Sequence, residues 1–379
     1  MKKDKDFSTG ILYEDSFEDR PLDDTGESSE HSTGILKKFL SMKRWKKIVL
    51  YVVTALVVVV AGLAGSFFYL RAQGEKNLKT EVVKTGKAKG EREGLFVTYN
   101  DKEYQYNEDI INFLCLGIDK DVSMEEMQTD GNEGLADAVV LISVNVENGQ
   151  IKILAIPRDT MVPVKVVDET GHFVKNANQQ ITLQYVYGSN AAMSCELMVD
   201  AVSNLLYKVP IQRYCSINLS AVTVLNDTIG GVDVQVLEDV HISGKNYHAG
   251  DVLHLQGTMA LDYIRDRDCD IFGSSMGRLE RQKQYMSNYF STAVDAIKAD
   301  MTLPMTLFQS LQGNMCTNIT TEDIAYLVPE LLDVSLNMED MSMVPGEVTQ
   351  PGELEEYIVN TDQLKELVIN YFYEEVPQK

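Results

Sequence analysis

The chain has 379 residues, of which 44% are hydrophobic and 24% are charged, and it carries a formal net charge of −23 at pH 7. A protein this acidic is a poor general nucleic-acid binder, because binding to a phosphate backbone requires a basic face. The length accommodates a tail, an anchor, and one large domain or two small ones.

Residues 48–70 form an apolar segment with no charged side chain, and they predict a transmembrane helix. A helix of this length rises roughly 34 Å, enough to cross a bilayer core about 30 Å thick. Basic residues crowd its N-terminal side: Lys37, Lys38, Lys43, Arg44, Lys46 and Lys47. Because basic residues stay in the cytoplasm, we expect a single-pass protein of the cell membrane with its N-terminus cytoplasmic and its C-terminal domain extracellular.

The regions that flank this helix are polar. Residues 1–47 form the cytoplasmic tail, which has too little apolar material for a core and is predicted to be disordered. Residues 71–109 are predicted to be a juxtamembrane linker followed by a small hairpin that turns at Asn100 and Asp101.

The remaining chain alternates predicted strands and helices. Continuous apolar runs at 111–118, 138–146 and 151–157 predict buried strands, and the turn at Asn148-Gly149 makes the last two antiparallel. Further helices are predicted at 191–207, at 220–231 with Ser220 as N-cap, and at 277–299. More strands are predicted at 211–219, 232–237 and 340–345, and the last helices near 303–313, 320–335 and 361–374.

This alternation predicts an α/β fold, namely an α/β/α sandwich with a central mixed sheet. We assign residues 110–300 to the main domain and residues 301–379 to a helical part that packs on it.

Charged side chains stand at the ends of three predicted strands. Asp119 follows the first buried strand and Asp137 precedes the second, where two carboxylates suit Mg²⁺; the alternative is that both are solvated loop residues. Arg158 follows the third strand, at a sheet edge suited to a ligand, although it could instead pair with Asp159.

A cluster of arginines without lysine lies between residues 263 and 282. If Tyr263, Arg265 and Arg267 are extended they share one face, and Arg278 and Gln282 share a face of the next helix. Arginine binds phosphate through two parallel hydrogen bonds, which indicates an anion site. The alternative is a network of ion pairs with the acidic residues Asp266, Asp268, Asp270 and Glu280.

Other motifs fail on their context. The sequence GSSMG at 273–277 lacks the buried strand that a nucleophile elbow needs, and the five histidines have no zinc spacing. No nucleotide-binding fingerprint is present, so no nucleotide cofactor is expected. The five cysteines argue against a disulfide framework; at most one pair, such as Cys195 with Cys215, is a candidate for a bridge.

Together and in this order, these segments resemble the LytR-CpsA-Psr family of bacterial cell-envelope proteins. The resemblance covers about residues 110–300, and its matching pieces are NFLCLGID, ADAVVLISVN, IKILAIPRDTMV, INLSAVTVLNDTIGGVDV, LQGTMALDYIRDRD and GRLERQKQYM. It implies a phosphotransferase that moves a glycopolymer from a polyprenyl-pyrophosphate carrier to peptidoglycan, in a fold with an apolar pocket for the polyprenyl chain.

The resemblance also implies roles for particular residues. Asp119 and Asp137 would hold Mg²⁺, and the pyrophosphate would be bound by Arg158, Arg265, Arg267, Arg278 and Gln282. Arg158, Arg265 and Arg267 would be catalytic, because phosphoryl transfer depends on charge neutralisation and alignment.

Two positions depart from the family pattern. Leu135 stands where the family commonly has an arginine, and Ser275 stands where it often has an aspartate. These departures leave open a second hypothesis, a non-catalytic protein that binds polyprenyl phosphate. A third, a transcriptional regulator, is disfavoured because a cytoplasmic tail of 47 residues has no room for a helix-turn-helix domain.

Overall fold

The computed structural model describes residues 44–84, 95–124, 134–168, 170–266, 274–332, 334, 336, 341–352 and 355–377. Residues 1–43 of the tail, together with Arg267 and Cys269, lie outside the described residues. The chain divides into two compact units, Met1–Gly65 and Ser66–Lys379, and the fold described below concerns the second.

The first helix, α1, spans Arg44–Lys84. It contains one segment long and apolar enough to cross a membrane, Val52–Lys79, with a mean hydropathy of 2.2. Residues 71–84, assigned to the juxtamembrane linker, continue the helix. Part of this segment packs on the domain: Leu78 is fully buried, and Gly74 lies so close to the backbone of Glu322 that no Cβ would fit.

A six-stranded mixed sheet forms the centre of the domain, which confirms the predicted fold class. Its strands, in spatial order, are β13 (Met315–Thr317), β8 (Arg213–Ile217), β3 (Ile110–Ile118), β4 (Ala136–Asn145), β5 (Ile151–Ile156) and β14 (Met341–Met343). β4 is antiparallel to both β3 and β5, as the Asn148-Gly149 turn predicted for β4 and β5, while β8 is parallel to β3 and β14 to β5.

Apolar side chains cover both faces of this sheet. One core includes Leu114, Leu116 and Leu141 and is closed by α2 (Ala191–Leu205) and α8 (Thr361–Phe372). The opposite core includes Ile111 and Ile153 and is closed by α7 (Thr321–Leu331) and by Leu78 of α1. Continuous apolar runs thus form strands buried on both sides, as expected for the middle of a layered fold.

A third core lies beside the sheet. It joins two helices, α4 (Thr258–Arg265) and α5 (Ser274–Ala299), to the antiparallel strand pair of β9 (Val232–Gln235) and β12 (Val252–Leu255). Ile229, the C-cap of α3 (Leu219–Thr228), packs in the same core. Asn218 is the N-cap of α3, so the prediction of Ser220 is wrong: the Asn218 side chain accepts a hydrogen bond from the backbone of Ala221, whereas Ser220 donates to Asp121.

The other elements are short. The hairpin at Asn100 and Asp101 is confirmed, with β1 (Phe96–Tyr99) pairing β2 (Lys102–Tyr106). Three elements were not predicted. The first is a hairpin of β6 (Met161–Val167) and β7 (Phe173–Gln180), and the second is the 3₁₀ helix Ile181–Tyr187 that follows it. The third is a small hairpin of β10 (Val240–Ile242) and β11 (Lys245–Tyr247).

The C-terminal part, predicted to be helical apart from one strand at 340–345, contains further strands, and the predicted strand is confirmed as β14. Besides α6 (Leu303–Ser310), α7 and α8, it supplies both edge strands of the central sheet, β13 and β14, and the strands β15 (Gly346–Thr349), β16 (Glu356–Val359) and β17 (Tyr373–Glu375). A buried ion pair connects the C-terminal part to the central sheet: Nε of Arg213 on β8 lies 2.6 Å from Oδ2 of Asp323 on α7. The segment after residue 300 therefore completes the domain.

Candidate functional site

The carboxyl ends of β3 and β5 meet the start of β4 at one edge of the sheet, and the backbone of Leu135 organises this edge. The Leu135 N–H donates to Oδ1 of Asp119 at 2.7 Å. Its carbonyl oxygen accepts the N–H of Asp119 at 3.1 Å and that of Asp137 at 3.0 Å. Both predicted metal ligands are therefore held by a residue whose side chain takes no part. Gly134, beside it, has no room for a Cβ next to Ile118.

Asp137 is the extra residue of a β-bulge. The register pairs Gly117 with Ala138 and Ile118 with Ala136, which leaves Asp137 without a partner across the ladder. A bulge of this kind bends the strand and redirects a side chain. Here the side chain of Asp137 is exposed, and its Oδ1 lies 2.8 Å from Nη1 of Arg158.

Arg158 stands in a tight turn after β5, and the following residues fix that turn. Its carbonyl oxygen accepts the N–H of Thr182, and the carbonyl oxygen of Thr160 accepts the N–H of Ile181. Thr160 is fully buried, and its hydroxyl donates to the carbonyl of Pro157. The unpredicted hairpin β6–β7 and the 3₁₀ helix thus hold the arginine at the sheet edge.

The charges at this edge act on one another. Burial lowers the pKa of Arg158, but the hydrogen bond to Asp137 and the charges of Asp137, Asp159 and Asp119 outweigh it, so its pKa lies above the ordinary value. Burial also raises the pKa of Asp159; the charge of Arg158 opposes this, while Glu355 and Asp137 add to it. Arg158 is therefore a permanent cation within a group of carboxylates.

Of the predicted arginine cluster, Arg265 lies on α4 and Arg278 and Arg281 lie on α5, and Arg281 is the most buried of these three. Only 3% of Arg281 is exposed, and its guanidinium pairs with Glu238 and donates to the carbonyl oxygens of Tyr263 and Asp266. The amide nitrogen of Gln282 donates to the carbonyl oxygen of Ile264 at 3.1 Å. Two side chains of α5 thus satisfy the free carbonyl groups at the C-terminus of α4.

The condition under which Tyr263 and Arg265 would share one face, an extended backbone, is not met. Both residues belong to α4, where Tyr263 is fully buried and Arg265, the last residue of the helix, is exposed. Apolar residues at helical spacing, which fill the third core, decide the conformation. Arg278 and Gln282 do share a helical turn of α5, as predicted, and Arg278 is half-buried.

The glycine before Arg278 has a packing role. A Cβ on Gly277 would overlap the carboxylate of Glu238, which pairs with Arg281. The motif NDTIGG has a similar role: the amide of the buried Asn226 donates to the carbonyl of Leu255 and accepts from the hydroxyl of Tyr285. The contacts of Asn226 therefore join α3, β12 and α5.

The structure gathers the predicted site residues into two groups. The first group lies at the sheet edge and consists of Asp119, Asp137 and Arg158. The second group lies on α4 and α5 and consists of Arg265, Arg278 and Gln282. Because Arg267 lies outside the described residues, its place in the second group stays a prediction.

Helix α3 connects the two groups. Its first residue, Leu219, donates its N–H to the carbonyl oxygen of Lys120, the residue after Asp119. Near the end of the helix, Oδ1 of Asp227 accepts the N–H of Gly257 at 2.8 Å, immediately before α4. One helix therefore contacts both the loop of the acidic pair and the start of the helix that presents Arg265.

The comparisons with known proteins follow the same segments. A model of the LytR_cpsA_psr family matches residues 68–371, well over half of the chain. The chain belongs to the LytR_cpsA_psr family. The predicted resemblance is therefore confirmed, and it extends beyond residues 110–300 to the last turns of α1 and to α8.

Relatives and solved structures cover most of the same region. The polyisoprenyl-teichoic acid–peptidoglycan teichoic acid transferase TagU of Bacillus subtilis (strain 168) is 25% identical over 283 residues, which is 74% of this chain and 81% of TagU. The crystal structure of B. subtilis TagV matches with a TM-score of 0.53 and 22% identity, over 69% of this chain and 96% of TagV.

A structure of TagT bound to LI-WTA also matches, with a TM-score of 0.53 and 22% identity, over 75% of this chain and 96% of TagT. At this identity the likeness to TagV and TagT establishes the shared fold. The family sequence match and the structural matches therefore agree on the fold of this chain.

Proposed function

We propose that this protein transfers a glycopolymer from a polyprenyl-pyrophosphate carrier to peptidoglycan. The observation that carries the proposal is the meeting of Asp119, Asp137 and Arg158 at one edge of the sheet. A phosphoryl group in transfer needs charges of fixed position, and an arginine held by a carboxylate in a rigid turn supplies one. TagU, a relative over most of the chain, is named as a transferase of this kind.

In the proposed reaction an acceptor hydroxyl on peptidoglycan attacks the phosphorus next to the glycopolymer. A new P–O bond forms, the bridging P–O bond of the pyrophosphate breaks, and polyprenyl phosphate leaves while the hydroxyl loses its proton. Arg158, Arg265 and Arg267 are the proposed catalytic residues, and Arg278 and Gln282 complete the pyrophosphate site. Gln282 would bind the pyrophosphate while its amide nitrogen also donates to the carbonyl oxygen of Ile264 at the end of α4.

Asp119 and Asp137 are the proposed holders of Mg²⁺, which when bound would neutralise charge on the phosphate oxygens. Within the described residues no group of three or more His, Cys, Asp or Glu side chains has the arrangement of a metal site. Two carboxylates suit Mg²⁺ nevertheless, because this ion commonly takes one or two protein carboxylates and completes its shell with water and substrate phosphates. Each carboxylate uses only Oδ1 in the contacts described above.

The anchor helix fits this function. We infer that the basic residues before it keep the tail in the cytoplasm, so that the domain lies outside, where the lipid carrier presents its pyrophosphate at the membrane surface. A tethered domain meets such a donor at high effective concentration. No nucleotide is needed, because the energy for transfer is already stored in the pyrophosphate bond of the donor.

A second candidate is a protein that binds the lipid-linked polymer without transferring it, and the specific observation that favours it is Leu135. This residue carries no charge toward the phosphate site and contributes to it only through its backbone. Under this hypothesis the protein would retain bound polyprenyl phosphate and show no Mg²⁺-dependent turnover.

One assay separates the two. The full chain in detergent is mixed with a polyprenyl-pyrophosphate saccharide, peptidoglycan oligomers and Mg²⁺, and saccharide linked to peptidoglycan is measured beside released polyprenyl phosphate. We expect both products in equal amounts, and none after Mg²⁺ is chelated. Binding of the donor without either product would overturn the transferase proposal and leave the binding protein.

A further inference from the structure

Two cysteines of different elements contact each other beside the central sheet. Cys195 lies in the second turn of α2 and is fully buried, and Cys316 is the middle residue of the edge strand β13. Both side chains belong to the same part of the core, where Cys316 packs against the buried cluster that contains Cys195. This pairing differs from the pair Cys195 and Cys215 that the sequence suggested.

The strand register explains the contact. Cys316 lies directly opposite Ser216 on β8, and residues in such a pair direct their side chains to the same face, with Cβ atoms about 5 Å apart. The Sγ of Cys195 lies 3.3 Å from the hydroxyl oxygen of the same Ser216. One serine therefore lies against both cysteines, on the face of the sheet that α2 covers.

The remaining described cysteines occupy the other face. Cys115 and Cys215 are register partners on the parallel strands β3 and β8, and Cys115 packs against the opposite core. Since successive residues of a strand alternate in direction, Cys215 and Ser216 lie on opposite sides of the sheet. A bridge from Cys195 to Cys215 would have to pass through the sheet, whereas one to Cys316 would not.

We propose that Cys195 and Cys316 form an intramolecular disulfide when the protein meets an external disulfide, and that this bond fastens α2 to the edge strand β13. The outward placement proposed above would expose the domain to a compartment where disulfides persist. The bond closes a loop of roughly 120 residues, and cross-links that close long loops restrict the unfolded chain most.

The chemistry divides between the two sulfurs. Cys316 is half-exposed and lines an open surface cavity of about 550 Å³ together with Met315 and Ala191. The hydrogen bond from Cys195 lowers the pKa of Cys316, although burial opposes it, while that same contact and then burial raise the pKa of Cys195. Cys316 is therefore the thiolate that reacts first.

The exchange balances without a further reactant. The Cys316 thiolate attacks one sulfur of a small disulfide such as oxidised glutathione, which gives a mixed disulfide and releases one thiol. Cys195 then loses its proton and attacks the Cys316 sulfur of the mixed disulfide, and the second small thiol leaves. The protein pair is oxidised, and the small disulfide is reduced to two thiols.

The test uses the full chain in detergent with Cys269→Ser, a substitution that removes the cysteine outside the described residues. After oxidised glutathione, free thiols are alkylated and the unreduced protein is digested and analysed by mass spectrometry. We expect one cross-linked peptide pair, joining Cys195 to Cys316, and a rise in melting temperature of about 5 °C or more that dithiothreitol reverses.

Cys316→Ala should abolish both the cross-link and the rise, and the half-exposed position of Cys316 makes it the milder substitution of the pair. Cys115→Ala is the matched control and should retain both. A disulfide between Cys195 and Cys215 would overturn the proposal. So would complete alkylation of Cys195 and Cys316 after treatment with oxidised glutathione, because it would show that both thiols are still free. Neither result bears on the transfer reaction, which is measured separately.

Discussion

Asp137 and Arg158 form an ion pair of 2.8 Å because a β-bulge turns Asp137 toward the end of the neighbouring strand. Both side chains remain partly exposed, at 39% and 46%. An ion pair so open to water contributes little to stability. Its position, next to Asp119 at the sheet edge, therefore points to a role in binding or catalysis.

The first prediction separates these contributions with Asp137→Asn, which retains the shape and loses the charge. We expect the free energy of unfolding to change by less than about 1 kcal/mol. Transfer should fall on the order of 100-fold, because a fixed charge near the reacting phosphate is lost. Thermal unfolding and initial rates check this. Asp200→Asn, which breaks the exposed pair with Lys165, is the control and should change neither; an unaltered rate for Asp137→Asn counts against the site.

The second prediction contrasts two arginines of the same cluster. Arg281 is buried and holds Glu238 and two backbone carbonyls, so Arg281→Ala should lower the free energy of unfolding by about 3 kcal/mol. Arg265 is exposed, and Arg265→Ala should leave stability within about 0.5 kcal/mol while transfer falls strongly. Denaturant titration and rate measurements on both variants test this contrast. An equal loss of stability in the two variants would contradict the structural role of Arg281 and the functional role of Arg265.

The third prediction concerns the departure at Leu135. The contacts of Leu135 with Asp119 and Asp137 all use its backbone, so Leu135→Arg should preserve them. The added guanidinium should strengthen binding of the pyrophosphate donor by about tenfold or more, since a charge-assisted hydrogen bond is worth about 1.5 kcal/mol or more. Titration with a polyprenyl pyrophosphate measures this. Leu135→Gln, of similar size and without charge, is the control; if both variants bind alike, charge at this position does not reach the phosphate.

The fourth prediction is a pH dependence. Burial raises the pKa of Asp159 above its ordinary value, despite the opposing charge of Arg158. The folded state therefore binds this proton more tightly than the unfolded state does. As pH rises from the unfolded pKa to the folded pKa of Asp159, the free energy of unfolding decreases, and it stays lower by this amount at higher pH. Asp159→Asn should therefore melt at a higher temperature than the wild type at pH 7, with a smaller difference at pH 4.

Asp168 provides the opposite case. Hydrogen bonds from the Thr170 hydroxyl and the His172 backbone hold the pKa of Asp168 below its ordinary value. Its stabilisation is present above the unfolded pKa and is lost as pH falls through the folded pKa. Asp168→Asn should therefore melt at a lower temperature than the wild type at pH 7. Melting curves at both pH values test the pair of variants, and shifts of the same sign at pH 7 would contradict this account.

Much of the fold was predictable because hydrophobic patterns and turn signals are local. Strands β3, β4 and β5 are continuous apolar runs, and Asn148-Gly149 marked the turn between the last two. The hairpin of β6 and β7 was missed because its second strand is mostly exposed and polar. The helical residues 71–84 were missed because their sequence is mostly polar, although Leu78 packs against the domain.

The site was predictable in its residue types and less so in its arrangement. The positions of Asp119, Asp137 and Arg158 at strand ends indicated their approach. The bulge at Asp137 and the backbone contacts of Leu135 depend on strand register, which the chain sets through long-range pairing. The spacing of Arg281 from Arg278 shows that it lies one turn further along the same helix. Its burial could not be predicted, because burial depends on how α5 packs on α4.

The central claim is that the sheet edge around Arg158 transfers phosphoryl groups, and the most direct measurement is the rate at which saccharide becomes linked to peptidoglycan by wild type and two arginine variants. Arg158→Ala should reduce this rate by about 100-fold to 1000-fold. Arg71→Ala, which removes a partly exposed arginine paired with Glu330, should leave it unchanged. Equal rates for Arg158→Ala and wild type, with the donor still bound, would contradict the claim.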